Sequence, residues 1–308
     1  MLTTVQEKQQ RVRELLAERK AILLAHNYQR AEIQEIADIV GDSLGLSIEA
    51  ANSDAEVIVF AGVHFMAESV YILAPHKTVI LPALQAGCPM ANMINPEKLQ
   101  ALRDEYPDYT VVCYVNSSAA VKALSDICCT SGNVLSVVKG IENDKILMVP
   151  DKNLAKFAAA HVPEKDIKWF DGFCPTHHRL TAADIRQSKI DHPEAIVVVH
   201  PECDPEVTAL ADHVCSTSGM YSYVEQHSAK QFIIGTESGI LFRMRRENPD
   251  KEFFLASRKL LCPNMKLTTL DDIIDSLETM SNIVTVPESV RLKAIQSLEK
   301  MIAAPRNE

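Results

Sequence analysis

Residues 21–29 read AILLAHNYQ: a nearly continuous apolar run, Ala21–Ala25, that ends in the polar triplet His26-Asn27-Tyr28. A short run without polar interruptions suits a strand buried on both faces of a parallel sheet, whereas a half-solvated strand would alternate. The same order recurs twice. Thr110–Tyr114 (TVVCY) leads into Tyr114-Val115-Asn116, and Ala195–Val199 (AIVVV) leads into His200-Pro201-Glu202. His26, Tyr114 and His200 stand 88 and then 86 residues apart.

Working outward, each copy continues through a helical stretch to a small polar turn. These turns are Asp42-Ser43-Leu44-Gly45, Thr130-Ser131-Gly132-Asn133 and Thr217-Ser218-Gly219-Met220. A second apolar run follows (Val57–Phe60, Ile146–Val149, Phe232–Ile234), then a third helix–strand step ending in Cys88-Pro89, Cys174-Pro175 or Cys262-Pro263. Seven residues past each of these cysteines stands a helix N-cap candidate: Asn95, followed by Pro96; Thr181, with Asp184 three residues on; and Thr269. A period this long marks repeated domains, because solenoid repeats are shorter.

The fold class expected is α/β: three homologous three-layer αβα units with small parallel sheets, related by pseudo-threefold symmetry about a central site. The boundaries fall at the loops YPDY and DHPE. They give 1–108 (an N-terminal helix plus the first unit), 109–194 (the second) and 195–308 (the third plus a C-terminal helix). The N-terminal helix places Val5, Val12, Leu15 and Leu16 on one side. The final helix, Pro287–Ala303, carries Val290, Leu292, Ile295, Leu298 and Ile302, and is expected to pair with the N-terminal one. Ligands bind beyond the carboxyl ends of parallel strands, which is where the polar strand ends, Ser/Gly turns and Cys-Pro loops all lie.

Composition narrows the function. With 308 residues and 47% hydrophobic content, the chain can build two or three small cores. Its formal net charge of −10 argues against a nucleic-acid partner, since phosphate backbones are bound by clustered Lys and Arg. An anionic substrate would need local cations or N–H donors. No apolar stretch is long enough for a membrane span and the N-terminus lacks an apolar signal core, so a cytoplasmic protein is expected.

Eight cysteines occur with no CxxC pair and no tight Cys/His cluster, and the default for each is a small buried hydrophobe. Cys88, Cys174 and Cys262 differ, because one stands at the same place in every unit. Thiolates bind soft or borderline metals. A structural zinc site wants four ligands, often in close sequence pairs. A [4Fe-4S] cluster held by three cysteines leaves one iron open to act as a Lewis acid, which favours catalysis over electron carriage. Cys113, Cys203 and Cys215 read as packing residues, and the vicinal pair Cys128-Cys129 as buried.

The segments AHNYQ (25–29), GDSLGL (41–46), GVHFMAES (62–69), AGCPMA (87–92), YVNSSAAVKA (114–123), CCTSGN (128–133), DGFCPTHH (171–178), HPEC (200–203), CSTSGM (215–220) and GTESGI (235–240) together resemble the quinolinate synthase family. The resemblance spans roughly residues 20–302. It implies three α/β units around a [4Fe-4S] cluster with three Cys ligands and one open iron. It implies condensation of iminoaspartate, supplied by L-aspartate oxidase, with dihydroxyacetone phosphate, in NAD biosynthesis. Longer relatives carry a CxxCxxC run at the third ligand; this chain has only Cys262 there and is similar to the shorter subclass.

His26 and Tyr28 leave the first strand on one side, as do Tyr114 and Asn116, and His200 and Glu202, in the other units. Three matched polar pairs aimed at a metal cavity point to catalysis. By resemblance His26 and Tyr28 work at the reacting centre, Glu202 serves the open iron side or shuttles protons, and His200 and Asn116 orient substrate. Ser43, Ser131, Thr217 and Ser218 are read as helix starts. They can cap, bind anions or do both at once, and Ser43, Ser131 and Thr217 are selected for anion binding. His177 is expected to line the cavity, His178 to lie behind it, and Phe65 to form a wall or core contact. Asp42, Glu68 and Glu237 receive no role. A hydroxymethylbutenyl diphosphate reductase-type enzyme, a non-catalytic iron–sulfur sensor and a zinc-stabilised binding protein are the competing readings.

Overall fold

The protein, described by a computed structural model over residues 4–307, contains three separate four-stranded, all-parallel sheets. The first holds β1 (Ala21–His26), β2 (Ile39–Gly41), β3 (Val57–Ala61) and β4 (Thr78–Ile80), ordered β2-β1-β3-β4. The second holds β5 (Thr110–Tyr114), β6 (Ile127–Cys129), β7 (Lys145–Val149) and β8 (Asp166–Trp169), ordered β6-β5-β7-β8. The third holds β9 (Ile196–Val199), β10 (His213–Val214), β11 (Gln231–Gly235) and β12 (Glu252–Leu255), ordered β10-β9-β11-β12. One strand order written three times is the repeat read from the sequence.

Each sheet has one strand more than the apolar runs announce. The additional strands β2, β6 and β10 are only two or three residues long and partly half-buried, so periodicity does not register them. A repeated aspartate holds them in place. Asp38, Asp126 and Asp212 accept from the backbone N–H of Leu23, Val111 and Val197 at 2.7, 2.7 and 2.8 Å, locking the start of each first strand to its short neighbour.

Period-two alternation sorts side chains to the two faces of each sheet. In the first unit, Leu24, Ile58 and Phe60 join the large central core, while Leu23, Ala25, Val59 and Ala61 form a separate outer layer. That outer layer is covered by the N-terminal helix (Val5–Glu18) through Val12, Leu15 and Leu16, and by helix Leu270–Thr279 through Leu270, Ile273 and Leu277. In the third unit, Val197, Val199 and Ile233 are covered by Ile185 of helix Ala182–Asp191. Each covering helix begins just past a Cys-Pro loop and packs on the next unit; Arg103, on helix Pro96–Glu105, reaches Leu124 and Asp126 of the second. The third unit's helix returns to the first, which closes the ring. Asn95, Thr181 and Thr269 cap these helices as expected, with reciprocal capping boxes at Thr181 and Thr269.

Ring closure overturns the expected pairing of the terminal helices. The N-terminal helix packs on Leu270–Thr279, and the final helix (Glu288–Ala303) packs on β6 and on helices Ala119–Lys122 and His64–Leu73, at the seam of the first two units. Its buried face is Ala294, Ser297, Leu298 and Met301; Leu292 is 52% exposed, and Val5 of the first helix 46%. Cys113, Cys128, Cys129, Cys203 and Cys215 are all buried. No helix among the described residues is long and apolar enough to cross a membrane.

Candidate active site

The carboxyl ends of all three sheets open onto one cavity of about 130 Å³. Register shows why the same positions meet there. Gly41 pairs with His26 and Cys129 with Tyr114, and the Cys215 N–H bonds the carbonyl just before His200. Two residues beyond each of these partners come Ser43, Ser131 and Thr217, equivalent hydroxyls from three units. The cavity is lined by His26, Tyr114 and His200, by Tyr28, Asn116 and Glu202, by the three hydroxyl residues, by His177, and by Cys88, Cys174 and Cys262. Phe65 forms part of its wall. His178 does not reach it and instead bonds Asp204 at 2.9 Å.

The hydroxyl residues differ in one respect from the expectation. Ser43 and Thr217 are the first helical residues, and the capping is done by the residue before each. Asp42 accepts from Gly45 N at 2.7 Å, and Ser216 from Gly219 N at 3.2 Å. Ser131 lies in a turn ahead of helix Val134–Gly140, whose N-cap is Asn133. Capping by Asp42 and Ser216 leaves the Ser43 and Thr217 side chains to the cavity, which Ser131 lines as well. Thr217 Oγ1 accepts from Asn27 Nδ2 at 3.0 Å and Ser131 Oγ meets His200 Nε2 at 3.2 Å, so these two hydroxyls are held from another unit.

His26 and His200 are fixed in one tautomer. The backbone N–H two residues on, from Tyr28 or Glu202, donates to the ring Nδ1 at 3.2 or 3.3 Å, so Nε2 carries the proton. Burial pushes His26 down to about 4 and His200 down to about 3, leaving both rings neutral N–H donors at pH 7. Burial alone would raise Glu202. The electrostatic pull of the neighbouring His177 and His200 rings and hydrogen bonds from His177 and Tyr114 outweigh it and bring Glu202 down to about 2. Burial and the Glu202 charge push Tyr28 and Tyr114 well above the usual phenol range, so both stay protonated.

These groups form a continuous chain. His177 Nδ1 lies 2.6 Å from Glu202 Oε2, and its Nε2 lies 2.8 Å from Thr236 Oγ1, which in turn lies 2.6 Å from the Tyr28 hydroxyl. With Nδ1–H donating to the carboxylate, the directions are consistent from end to end: Tyr28 donates to Thr236, Thr236 to His177, and His177 to Glu202. His177 also stacks on His200, with ring centroids 4.7 Å apart. Sequence reasoning passed over Thr236, which sits one residue past β11 inside GTESGI. The buried Asn116 Oδ1 has no hydrogen-bond partner among the described residues, so the cavity offers a ligand one uncommitted acceptor.

The three cysteine loops are held by repeated devices. Glu237, two residues past β11, accepts from Cys262 N at 3.3 Å and Gly239 N at 2.7 Å, and pairs with Lys266 at 3.2 Å. Asp151, two residues past β7, accepts from Cys174 N at 3.1 Å and Leu154 N at 2.7 Å. The first unit has Val63 at this position, and there the His64 N–H bonds Ala86 O instead, at 2.8 Å. Lys266 also bonds the Tyr28 carbonyl, and Asn264 Nδ2 donates to Gly87 O at 2.6 Å, so the third loop is stapled to the first unit. Burial pushes Cys88 up to about 12 and raises Cys174 and Cys262. A bound metal reverses that preference and makes such thiols thiolate ligands.

The donor set fits a metal centre of the iron or iron–sulfur kind: three free, half-buried thiols, one per unit, on a single cavity. Ligand atoms of Cys174, His177 and Glu202 also lie within 4.8 Å of one another, Glu202 of the third unit joining the Cys174/His177 pair of DGFCPTHH. A cysteine-rich candidate metal site and a buried acid–base chain in one cavity define an α/β metalloenzyme. The chain belongs to the family described as Quinolinate synthetase A protein, whose model matches residues 10–303. It is 59% identical to the quinolinate synthase of Geotalea uraniireducens over 96% of this chain and 97% of that one. For those of Geobacter metallireducens and Pelobacter propionicus the identities are 58% and 56%, each over 97% of this chain and 98% of the relative. Among the readings left open by the sequence, these matches select the quinolinate synthase one.

Proposed function

We propose that this chain condenses iminoaspartate with dihydroxyacetone phosphate to give quinolinate, phosphate and two waters, as a cytoplasmic step of NAD biosynthesis fed by an L-aspartate oxidase. The observation that carries this reading is the single buried cavity in which one cysteine from each unit meets the Tyr28–Thr236–His177–Glu202 chain. Cys88, Cys174 and Cys262 would hold a [4Fe-4S] cluster with one open iron, which when bound supplies a Lewis acid. The three units proposed to contribute are 1–108, 109–194 and 195–308.

The chain's own residues handle position and protons. Ser43, Ser131 and Thr217 offer hydroxyls to the phosphate, joined by free N–H groups at the starts of the ten-residue helices Ser43–Asn52 and Thr217–Gln226. The Nε2–H groups of His26 and His200 donate to substrate carboxylate or carbonyl oxygens. Asn116 Oδ1 accepts from a ligand N–H or O–H. Glu202, ionised at pH 7, takes a proton from the carbon beside the imine or carbonyl. Tyr28 donates its proton to a departing hydroxyl; with His177 in its other tautomer, protonated on Nε2, the chain runs in reverse and passes the proton held by Glu202 through His177 and Thr236 to Tyr28, so the pair is reset without bulk water. Tyr114 bonds Glu202 and holds its carboxylate toward the cavity.

The test is an anaerobic assay of reconstituted protein with dihydroxyacetone phosphate, oxaloacetate and ammonia, with quinolinate detected by chromatography and mass. The wild type is expected to form quinolinate and Cys174→Ala none. Absence of product from a brown, fully loaded protein would retire the reading.

A further inference from the structure

The cavity poses an electrostatic problem. Its lining includes the carboxyl groups of Asp42, Glu202 and Glu237 but, among the described residues, one cation, the exposed Arg179. Asp42 directly precedes Ser43, so its carboxylate stands beside the hydroxyls assigned to the phosphate. A dianion entering there would meet a fixed negative charge.

The C-terminal tail answers it. Arg306 Nη1 and Nη2 lie 2.7 and 3.2 Å from the two Asp42 oxygens, a bidentate pair. Ser218 of the third unit donates to the same carboxylate at 2.7 Å. The guanidinium lies so close to the first two units' turns that a Cβ at Gly45 would be 3.3 Å from Nη2, and one at Gly132 3.4 Å from Nη1. Asn307 anchors the tail: its N–H bonds Gly132 O at 2.8 Å, and its Oδ1 accepts from Ser136 N and Oγ at 2.9 Å each. One side chain from the end of the chain thus sits where the Ser/Gly turns of all three units meet. It lies three residues past the stretch matched by the family model.

We propose that Arg306 is a positioning residue for the phosphate of the substrate: it neutralises Asp42 and closes the hydroxyl cradle from outside the cavity. This rests on the proposed reaction for the identity of the anion. Arg306 acts through Asp42, so its role is defined by what happens when both charges are removed together.

The experiment uses cluster-loaded protein and two readouts, calorimetric binding of inorganic phosphate and steady-state kinetics. Arg306→Ala is expected to weaken phosphate binding and raise KM for dihydroxyacetone phosphate by roughly ten-fold, the size of one lost charge-assisted contact. The KM for iminoaspartate, kcat and iron content stay within about two-fold, and Arg306→Lys, which keeps the charge but loses the bidentate fork, recovers part of the loss. Asp42→Asn keeps a good N-cap, and in the Arg306→Ala background it restores phosphate affinity. Unchanged phosphate affinity and KM in Arg306→Ala overturn the proposal. So does a double variant no better than the single one. If the wild type makes no quinolinate yet binds phosphate in an Arg306-dependent way, the reaction falls and the role of Arg306 stands.

Discussion

Thr236 has no titratable group, yet its hydroxyl joins Tyr28 to His177 by hydrogen bonds. Replacing it with Val keeps its shape and removes the hydroxyl. The expected result is a kcat lower by roughly a hundred-fold, the scale of a lost acid–base contribution, with the visible absorbance of the cluster unchanged. Thr236→Ser, which restores the hydroxyl, returns most of the rate. Equal rates for Val and Ser would show that protons do not travel this way. His26 carries a second expectation. Its folded-state value near 4 lies below the ordinary 6.5, so between those values the unfolded chain binds a proton that the native ring refuses. Stability is therefore full above about pH 6.5 and is lost as pH falls toward 4, by about 3 kcal/mol. Denaturant titrations at pH 7 and pH 5 should show a smaller acid loss in His26→Asn than in the wild type. An identical loss would mean that His26 is not buried neutral. Cluster lability is common to both proteins and cancels in the comparison.

At the scale of elements, the Cys-Pro loops are fixed by groups at the ends of the third strand formed in each unit. In the third unit that group is Glu237, fully buried and paired with Lys266. Glu237→Gln retains the acceptor for Cys262 N–H but removes the charge and leaves Lys266 uncompensated. Loss of iron to a chelator should then be about ten-fold faster, in line with a weakened hydrogen bond to a charged group. A chelation rate equal to the wild type would show that backbone geometry alone holds the loop. The three cysteines were legible because a residue recurring at a matched place in every repeat stands out against ordinary core use. Glu237 lies inside GTESGI with no local sign of its role, and nothing beside Asp151 in the sequence marks it either. The equivalent position in the first unit is Val63, which breaks the pattern, and their acceptor role depends on loops that follow more than twenty residues later. The short strands β2, β6 and β10 escaped for a different reason: two or three residues have no measurable period. Their marker was the repeated Asp38, Asp126 and Asp212, whose meaning lies in a bond to the neighbouring strand.

For the whole molecule, the central fact is that each unit borrows its outer cover from the helix that follows the preceding unit's cysteine, and the last helix of this kind returns to the first sheet. Local patterning reveals the helices but not where they go. That choice is made by residues about 250 positions apart that share one buried layer, such as Leu23 and Ile273. This is why the sequence suggested pairing the two terminal helices, while the Leu270–Thr279 helix took the place beside the first. A closed ring should unfold as one body, because opening it at any seam exposes two units' apolar faces at once. Ile273→Ala tests this, since Ile273 is fully buried at the closing seam. It should cost about 2–5 kcal/mol. The single tryptophan, Trp169 on β8, reports from the second unit, far in the chain from the substitution. Its fluorescence and the helical signal should therefore shift to lower denaturant together. If the tryptophan transition stays in place while the helical signal splits, the three units are independent folding bodies, and a shared cluster, more than shared packing, would have to hold the cavity together.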